Sequence, residues 1–421
     1  MFATLLALIA GHAPAAPPGT TPVEGLRENT PAVYALTNVR IVPEPGKAIE
    51  KGTIVIRDGV IEAAGADIKP PADARTIDLS GKTAYPGLID AYSEITIGAE
   101  ARRAGAPHWN PSIAPQLDVA LHHVPDEALH GKLRSQGITA RLVAPGSRII
   151  KGQSIVIATG EGDHARSILR SGVAQHFRLS VSPGGGREQY PNSPMGAVAL
   201  ARQTLLDADW YAKAWAAWRG NNELPRPDRN DSLEALAPCL AGNQPAIIDA
   251  ANEQYFLRAD RFAREFGLQA IIRGSGREYR RLDEIKASGR AVIVPVNFPQ
   301  PPSVATVEDA LDVSLQTLMH WDHAPENAAR LDAAGVPIAL TSHGLKDPAT
   351  FLSHVRRAIE RGLSADAALK ALTTTPADLL GIGERHGKIA PGMAASLVIA
   401  DGDLFAKKSK VVETWVEGRR Y

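Results

Sequence analysis

Ala84-Tyr85-Pro86-Gly87-Leu88-Ile89-Asp90-Ala91-Tyr92-Ser93-Glu94-Ile95 stands at the junction between two kinds of sequence. Before it, Val33 to Gly65 reads as β-structure. There Thr53-Ile54-Val55-Ile56 runs into Asp58-Gly59 and then Val60-Ile61-Glu62-Ala63. Asp-Gly between apolar runs predicts a tight hairpin, whose turn needs positive φ at both central residues. After it, short apolar strands alternate with helices. The strands are Ile138 to Val143, Ala246 to Asp249, Ala270 to Arg273, Ala291 to Val294 and Pro337 to Leu340. The helices are Ala251 to Phe266, Glu278 to Ala287, Asn327 to Ala334 and Ala349 to Arg361. Such alternation predicts parallel βαβ units, enough of them to close a barrel. Near the end, Thr375 is expected to cap a helix, with Pro376 in its first turn and Gly381 at its exit. The far end returns to β-structure in Ser396 to Ile399 and Val411 to Val416, followed by a Glu417-Gly418 turn.

The 421 residues exceed what one compact core usually needs, although an α/β barrel uses roughly 250 as one unit. Acidic and basic residues balance at 46 each. That argues against nucleic acid or a polybasic membrane clamp as a partner. Cys239 is the only cysteine, which excludes an internal disulfide and a cysteine-based zinc site. Phe2 to Ala10 is a short apolar run, and Ala13-Pro14-Ala15-Ala16 offers small residues for cleavage near Ala15 or Ala16. The run is too short to span a bilayer. No Lys or Arg precedes it. Residues 1–31 are therefore expected to be an export signal and a Pro- and Gly-rich leader, giving a periplasmic or secreted protein with no membrane span after processing.

Three motifs resemble the amidohydrolase superfamily, in particular its imidazolonepropionase-like enzymes. Pro86-Gly87-Leu88-Ile89-Asp90 is similar to the segment that opens the barrel there, written Pro-Gly-Leu-Ile-Asp-x-His-x-His. Ala371 to Gly381 is similar to the helix that ends the barrel. Gly387-Lys388-Ile389-Ala390-Pro391-Gly392 through Val398 is similar to the return into the terminal β-domain. The resemblance implies an α/β fold: a distorted (β/α)8 barrel over residues 87–387, with a composite β-sandwich from 32–86 and 388–421. It implies hydrolysis of non-peptide C–N bonds at the C-terminal ends of the strands. One or two divalent metals would there lower the pKa of a water, with an aspartate as proton acceptor.

Every assignable ligand position implied by this resemblance has changed. Tyr92 and Glu94 replace the first two histidines. Asp249 and Arg273 stand where two middle strands should end in histidine, and His343 stands where the last strand should carry aspartate. A lysine ligand has no clear counterpart; Lys151 is the only nearby candidate. A guanidinium has no lone pair for a metal. The expected pocket is therefore Tyr92, Glu94, Asp249, Arg273 and His343, with Arg273 supplying the lost positive charge and no metal cofactor. This predicts a catalytically impaired pseudoenzyme beside an active amidohydrolase paralogue, or a homo-oligomer. A second reading is an active hydrolase with one zinc, iron or manganese held by Glu94, Asp249 and His343, and with Asp249 and His343 catalytic. A third is a periplasmic cup for a small amide, cyclic amide or dipeptide.

Other features have plainer readings. His320-Trp321-Asp322-His323 suits a helix face or loop, and His122-His123 before Pro125 suits a surface turn. Gly184-Gly185-Gly186 and Gly274-Ser275-Gly276 match no phosphate-binding fingerprint. Trp210, Tyr211, Trp215 and Trp218 fall on one helix from about Pro194 to Arg219, and Arg219 to Pro238 reads as an exposed loop. No Gly-x-Ser-x-Gly elbow occurs. The short segment Arg419-Arg420-Tyr421 after the last turn is what the degenerate half of a two-barrel protein would show.

Overall fold

Both ends of the described chain enter one hydrogen-bonded sheet. In the computed structural model, the described residues are 33–421 apart from 99, 102–103, 163 and 182–189. The expected export signal and the Gly184 to Gly186 loop lie outside the described residues. The sheet runs Arg419–Arg420, Val411–Val416, Leu397–Ala400, Thr83–Pro86, Val33–Ile41, Ile49–Arg57 and Val60–Gly65, with Arg75–Asp78 also paired to Val33–Ile41. Asp58 and Gly59 have φ of 49° and 80°, and Glu417 and Gly418 have 47° and 82°. Both pairs thus take the left-handed geometry of tight hairpins. The two turns also lie back to back: a Cβ on Gly418 would meet Gly59 Cα at 2.6 Å. Trp415, fully buried, packs edge-on against Tyr34 at 5.0 Å among Leu36, Ile54, Ile56 and Leu397.

The chain passes from this sheet to the barrel at Gly87. Thr83–Pro86 pairs with Leu397–Ala400, whereas Leu88–Ile95 pairs in parallel with Ile138–Pro145. A Cβ on Gly87 would lie 2.2 Å from Thr139 Oγ1, so the crossing is too tight for any side chain.

The barrel staves follow in order. Leu88–Ile95 and Ile138–Pro145 come first. The run Ile150–Gln153 and Ile155–Ala158 serves as the third stave and is antiparallel to its neighbours on both sides. Gln175–Arg178, Ala246–Asp249, Ala270–Arg273, Val292–Pro295 and Ile338–Thr341 complete the circuit in parallel. Among the described residues no ladder joins the last stave to the first. They meet instead through Thr341 Oγ1, which donates to Tyr92 O at 2.6 Å, and Ser342 N, which donates to Asp90 Oδ1 at 3.2 Å. Ile89, Ala91, Ala140, Leu142, Val156, Ala174, Ile247, Ile271, Ile293 and Ala339 fill the lumen. Leu88, Ile138, Phe177, Ile248, Ile272 and Leu340 face the helices instead. Both strand faces are apolar, as burial on both sides requires.

Several helices differ from expectation. Glu278–Arg281 is a 3-10 turn before the α-helix Leu282–Ser288. Thr375 lies inside the helix Thr374–Leu379 rather than capping it, and Gly381 beyond it has φ of 67°. The segment after the long helix Pro194–Gly220 is not all loop. Asn230 caps a helical turn at Asp231–Glu234 by accepting from Leu233 N, and Ala237–Leu240 forms another. No helix among the described residues is long and apolar enough to cross a membrane.

Candidate functional site

Three parallel strands end in register at Arg178, Asp249 and Arg273. Across the lumen, Tyr92 and Glu94 leave the first stave. The antiparallel third stave begins at this same mouth, which places Lys151, its second residue, among them. These groups form one ion-pair cluster. Lys151 Nζ donates to Glu94 Oε1 at 2.8 Å and Tyr92 Oη at 3.1 Å, and it also donates to Asp249 Oδ2. Arg273 Nε donates to Asp249 Oδ1 at 2.8 Å. Arg178 Nε lies 3.5 Å from Asp249 Oδ2. Tyr92 Oη donates to Glu94 Oε1 at 2.7 Å and lies 3.3 Å from Asp249 Oδ1. The Arg273 guanidinium also sits 5.0 Å from the Tyr92 ring centroid, a cation–π distance.

Depth sorts the cations. The Lys151 side chain is 0% exposed, while Arg273 and Arg178 retain 17% and 26%. Burial alone would raise the Asp249 carboxyl, but Lys151 and Arg273 outweigh it and hold the group well below the usual carboxylate range. Glu94 is lowered too, with burial opposed chiefly by Lys151. Burial and the two carboxylates push the Tyr92 phenol well up, so it stays a hydrogen-bond donor.

All five expected pocket residues are at the mouth, but their roles differ from the expectation. Arg273 reaches Asp249, and Lys151 is the cation that bridges both carboxylates. The His343 ring stands edge-on to the Tyr92 ring at 5.1 Å rather than joining the polar network by a side-chain hydrogen bond, while its backbone N–H donates to Thr341 Oγ1. Burial, and then Arg273, lower its pKa. Two residues, Arg178 and His176, escaped the sequence reading, and Lys151 was named there only as the nearby candidate for a lysine ligand. Lys151 was legible as a lysine after Ile149-Ile150, yet nothing revealed that its strand runs backwards. Arg178 and His176 lie on a four-residue strand too polar to register as one. His176 is fully buried beside Tyr92, and burial, then Lys151, push its pKa down to about 3.

The plainer features resolve as follows. His320-Trp321-Asp322-His323 lies on the helix Leu315–His323. Ligand atoms of Asp322, His323 and Glu326 come within 4.8 Å of one another, but Arg361 and Arg330 already pair with the two carboxylates. His123 is buried against Arg141 rather than on a surface turn. The amides of Ser275 and Gly276 are held by the Glu278 carboxylate at 2.6 and 3.0 Å, which occupies them internally. Trp215 packs on Tyr211 and Trp218, with Arg226 over Trp215 and Trp218. Cys239 is buried, and burial pushes its thiol up to about 12.

Residues 341–421 match the model of the Amidohydrolase family. Imidazolonepropionase of Cupriavidus pinatubonensis is 25% identical over 380 residues, covering 85% of this chain and 84% of that protein. The crystal structure of an amidohydrolase from Thermotoga maritima superposes with a TM-score of 0.76 at 24% identity, over 92% of this chain and 99% of that one. These matches support membership of the amidohydrolase superfamily. Amidohydrolase tasK of Hapsidospora irregularis is 24% identical over 411 residues; the match covers 88% of this chain and 39% of that longer protein.

Amidohydrolases typically use divalent metals, and the donors at this mouth do not suit one. Asp249 is engaged through both oxygens, and Glu94 Oε1 accepts from Lys151 and Tyr92. A metal bound to these carboxylates at roughly 2.0–2.2 Å would displace Lys151 and sit beside two further guanidinium groups. Repulsion at about 4 Å is of order 4 kcal/mol per pair of unit charges at intermediate dielectric, and doubles for a dication.

Proposed function

We propose that this chain is an amidohydrolase-fold protein whose catalytic centre has become an ion-pair plug, and that it acts as a catalytically impaired partner of an active paralogue. The observation that carries the reading is the fully buried Lys151 ammonium, bonded at once to Glu94, Tyr92 and Asp249. A lysine ammonium offers three donors and no lone pair, so it satisfies carboxylates as a metal would but activates no water. The apolar run at Phe2 to Ala10 supports an exported protein, and the intact scaffold around the altered mouth supports a role that needs the fold without the chemistry.

Elemental analysis of the purified full chain, together with assays on small amides, cyclic amides and dipeptides, tests the first half. Substoichiometric zinc, iron and manganese with no turnover is expected. Stoichiometric metal, with hydrolysis that Asp249→Ala abolishes, would overturn it. Co-expression with a neighbouring paralogue that carries an intact Pro-Gly-x-x-Asp-x-His-x-His segment tests the second half. Co-purification, or a gain in that paralogue's stability or activity, is expected; independent behaviour of both chains counts against partnership.

The partial exposure of Arg178 and Arg273 favours one alternative, a cup for a small carboxylate-bearing ligand. A ligand that raises thermal stability without turnover would favour the cup.

A further inference from the structure

A second group of titratable side chains lies on the outer face of the second stave. Arg141 is in register with Asp90 on one side and Ile157 on the other. Its strand neighbours Ala140 and Leu142 face the lumen, so its side chain projects the other way, toward the layer holding Val143 and Ile157. Arg141 is 4% exposed. Among the described residues no carboxylate forms an ion pair with it. Its hydrogen-bond neighbour is His123 Nε2, 3.5 Å from Nη2, and its Nε has no partner. The Asp90 carboxylate spends its bonds on Ser342 and the Tyr92 amide.

His123 touches the guanidinium, and His130, Asp90 and Asp126 lie within electrostatic reach of it. His123 stacks on His164 with centroids 5.1 Å apart and planes at 29°. His123 Nδ1 and both ring nitrogens of His130 and His164 are buried without partners. Burial first, and then the Arg141 charge, push His123 and His130 down to about 4, which leaves them neutral at pH 7 with one N–H each.

A buried cation in a stable fold is normally paired, and an unpaired one costs several kcal/mol. Here the unpaired groups are a guanidinium and imidazoles that can turn N–H donors toward it. That set suits a negative charge and repels a metal cation. We propose that Arg141, His123 and His130 hold a small inorganic anion, of the halide or compact oxyanion class, beneath the His164 ring. The anion would tie the helix Glu127–Arg134 and the segment before it to the second stave, on the side of the strand opposite the mouth cluster.

Diffraction from crystals of the full chain grown in bromide, and melting of the full chain at pH 7.5 and constant ionic strength, test this. The melting series compares chloride, bromide, nitrate and phosphate with bulky gluconate. An anomalous peak bonded to Arg141, or oxyanion density there, is expected, with melting several degrees higher in the bound anion than in gluconate. Best stabilisation by halides would assign the halide class, and by nitrate or phosphate the oxyanion class. Arg141→Met should abolish the anion dependence. If that variant does not fold, His130→Phe, which keeps the guanidinium, should raise the half-saturating anion concentration at least ten-fold. Water alone beside Arg141, with melting equal in all salts, would overturn the proposal.

Discussion

Lys151 Nζ lies 2.8 Å from Glu94 Oε1, across 57 residues of chain, and the same nitrogen reaches Tyr92 and Asp249. The Ile150–Gln153 segment runs against its neighbours, so a residue near its start meets residues at the ends of parallel strands. The cluster thus depends on one reversed stave. Removing the ammonium while keeping both carboxylates leaves buried charge uncompensated. Lys151→Met is expected to destabilise the fold by about 3–5 kcal/mol. Urea unfolding against the parent measures it; a loss within 0.5 kcal/mol, the usual range for surface substitutions, would show that Lys151 is not buried between the carboxylates.

The acid limb of stability should begin with histidines, not carboxylates. His176 is fully buried and its pKa is lowered to about 3, below the unfolded value near 6.5. A group with a depressed folded pKa binds its proton mainly when unfolded. Its stabilisation is fully present above about pH 6.5 and is lost as pH falls toward 3, at up to about 1.4 kcal/mol per pH unit. Glu94 and Asp249, also lowered, add a further loss only below about pH 4. Unfolding free energies at pH 7.5, 6.0 and 5.0 should therefore decline steadily. His176→Phe should flatten that decline; an unchanged slope would remove His176 as a cause.

Much of this architecture was legible because its signals are local. Asp58-Gly59 specifies its own hairpin, and Ala246 to Asp249 and Ala270 to Arg273 are short apolar runs that coincide with the observed strands. The mouth residues Tyr92, Glu94, Asp249, Arg273 and His343 could be placed because the family resemblance assigns a ligand position to the end of each such run. Lys151 stayed a candidate without a register, and Arg178 went unseen, for a different reason. Strand direction is set by the tertiary pairing of Ile150–Gln153 with Gln175–Arg178, and neither segment has a hydrophobic period that announces it. The burial of His123 was hidden in the same way, since it packs on Arg141 from a later strand and on His164 at the start of the short helix His164–Ser167.

The sheet-to-barrel crossing should be intolerant of a single methyl group. A Cβ on Gly87 would lie 2.2 Å from Thr139 Oγ1 and 2.6 Å from Thr139 Cγ2. Overpacking of this kind typically costs about 1–3 kcal/mol. Gly87→Ala should lower stability by that amount, and Thr139→Ala in the same chain should recover part of it by removing the two closest of the three clashing atoms. Additive losses in the double variant, read from urea midpoints at constant slope, would place the strain elsewhere.

Arg273 and Lys151 make separable predictions about metal. Converting Tyr92 and Glu94 to histidine, and His343 to aspartate, restores neutral and acidic donors of the superfamily kind. It leaves both cations in place. Arg273 Nε would still bond Asp249 Oδ1, and the Lys151 ammonium would still occupy Asp249 Oδ2. A zinc ion entering there would meet these two fixed positive charges and that of Arg178 in a site of reduced dielectric, where each repulsion is worth several kcal/mol. The triple variant is therefore expected to bind zinc weakly. Adding Arg273→His removes one repulsion and supplies one imidazole ligand, so zinc affinity should rise at least ten-fold, about 1.4 kcal/mol. Adding Lys151→Ala as well should raise it again. Calorimetric titration of the folded variants with zinc reads each step. Stoichiometric, tight binding already in the triple variant would mean that the two cations do not guard the mouth.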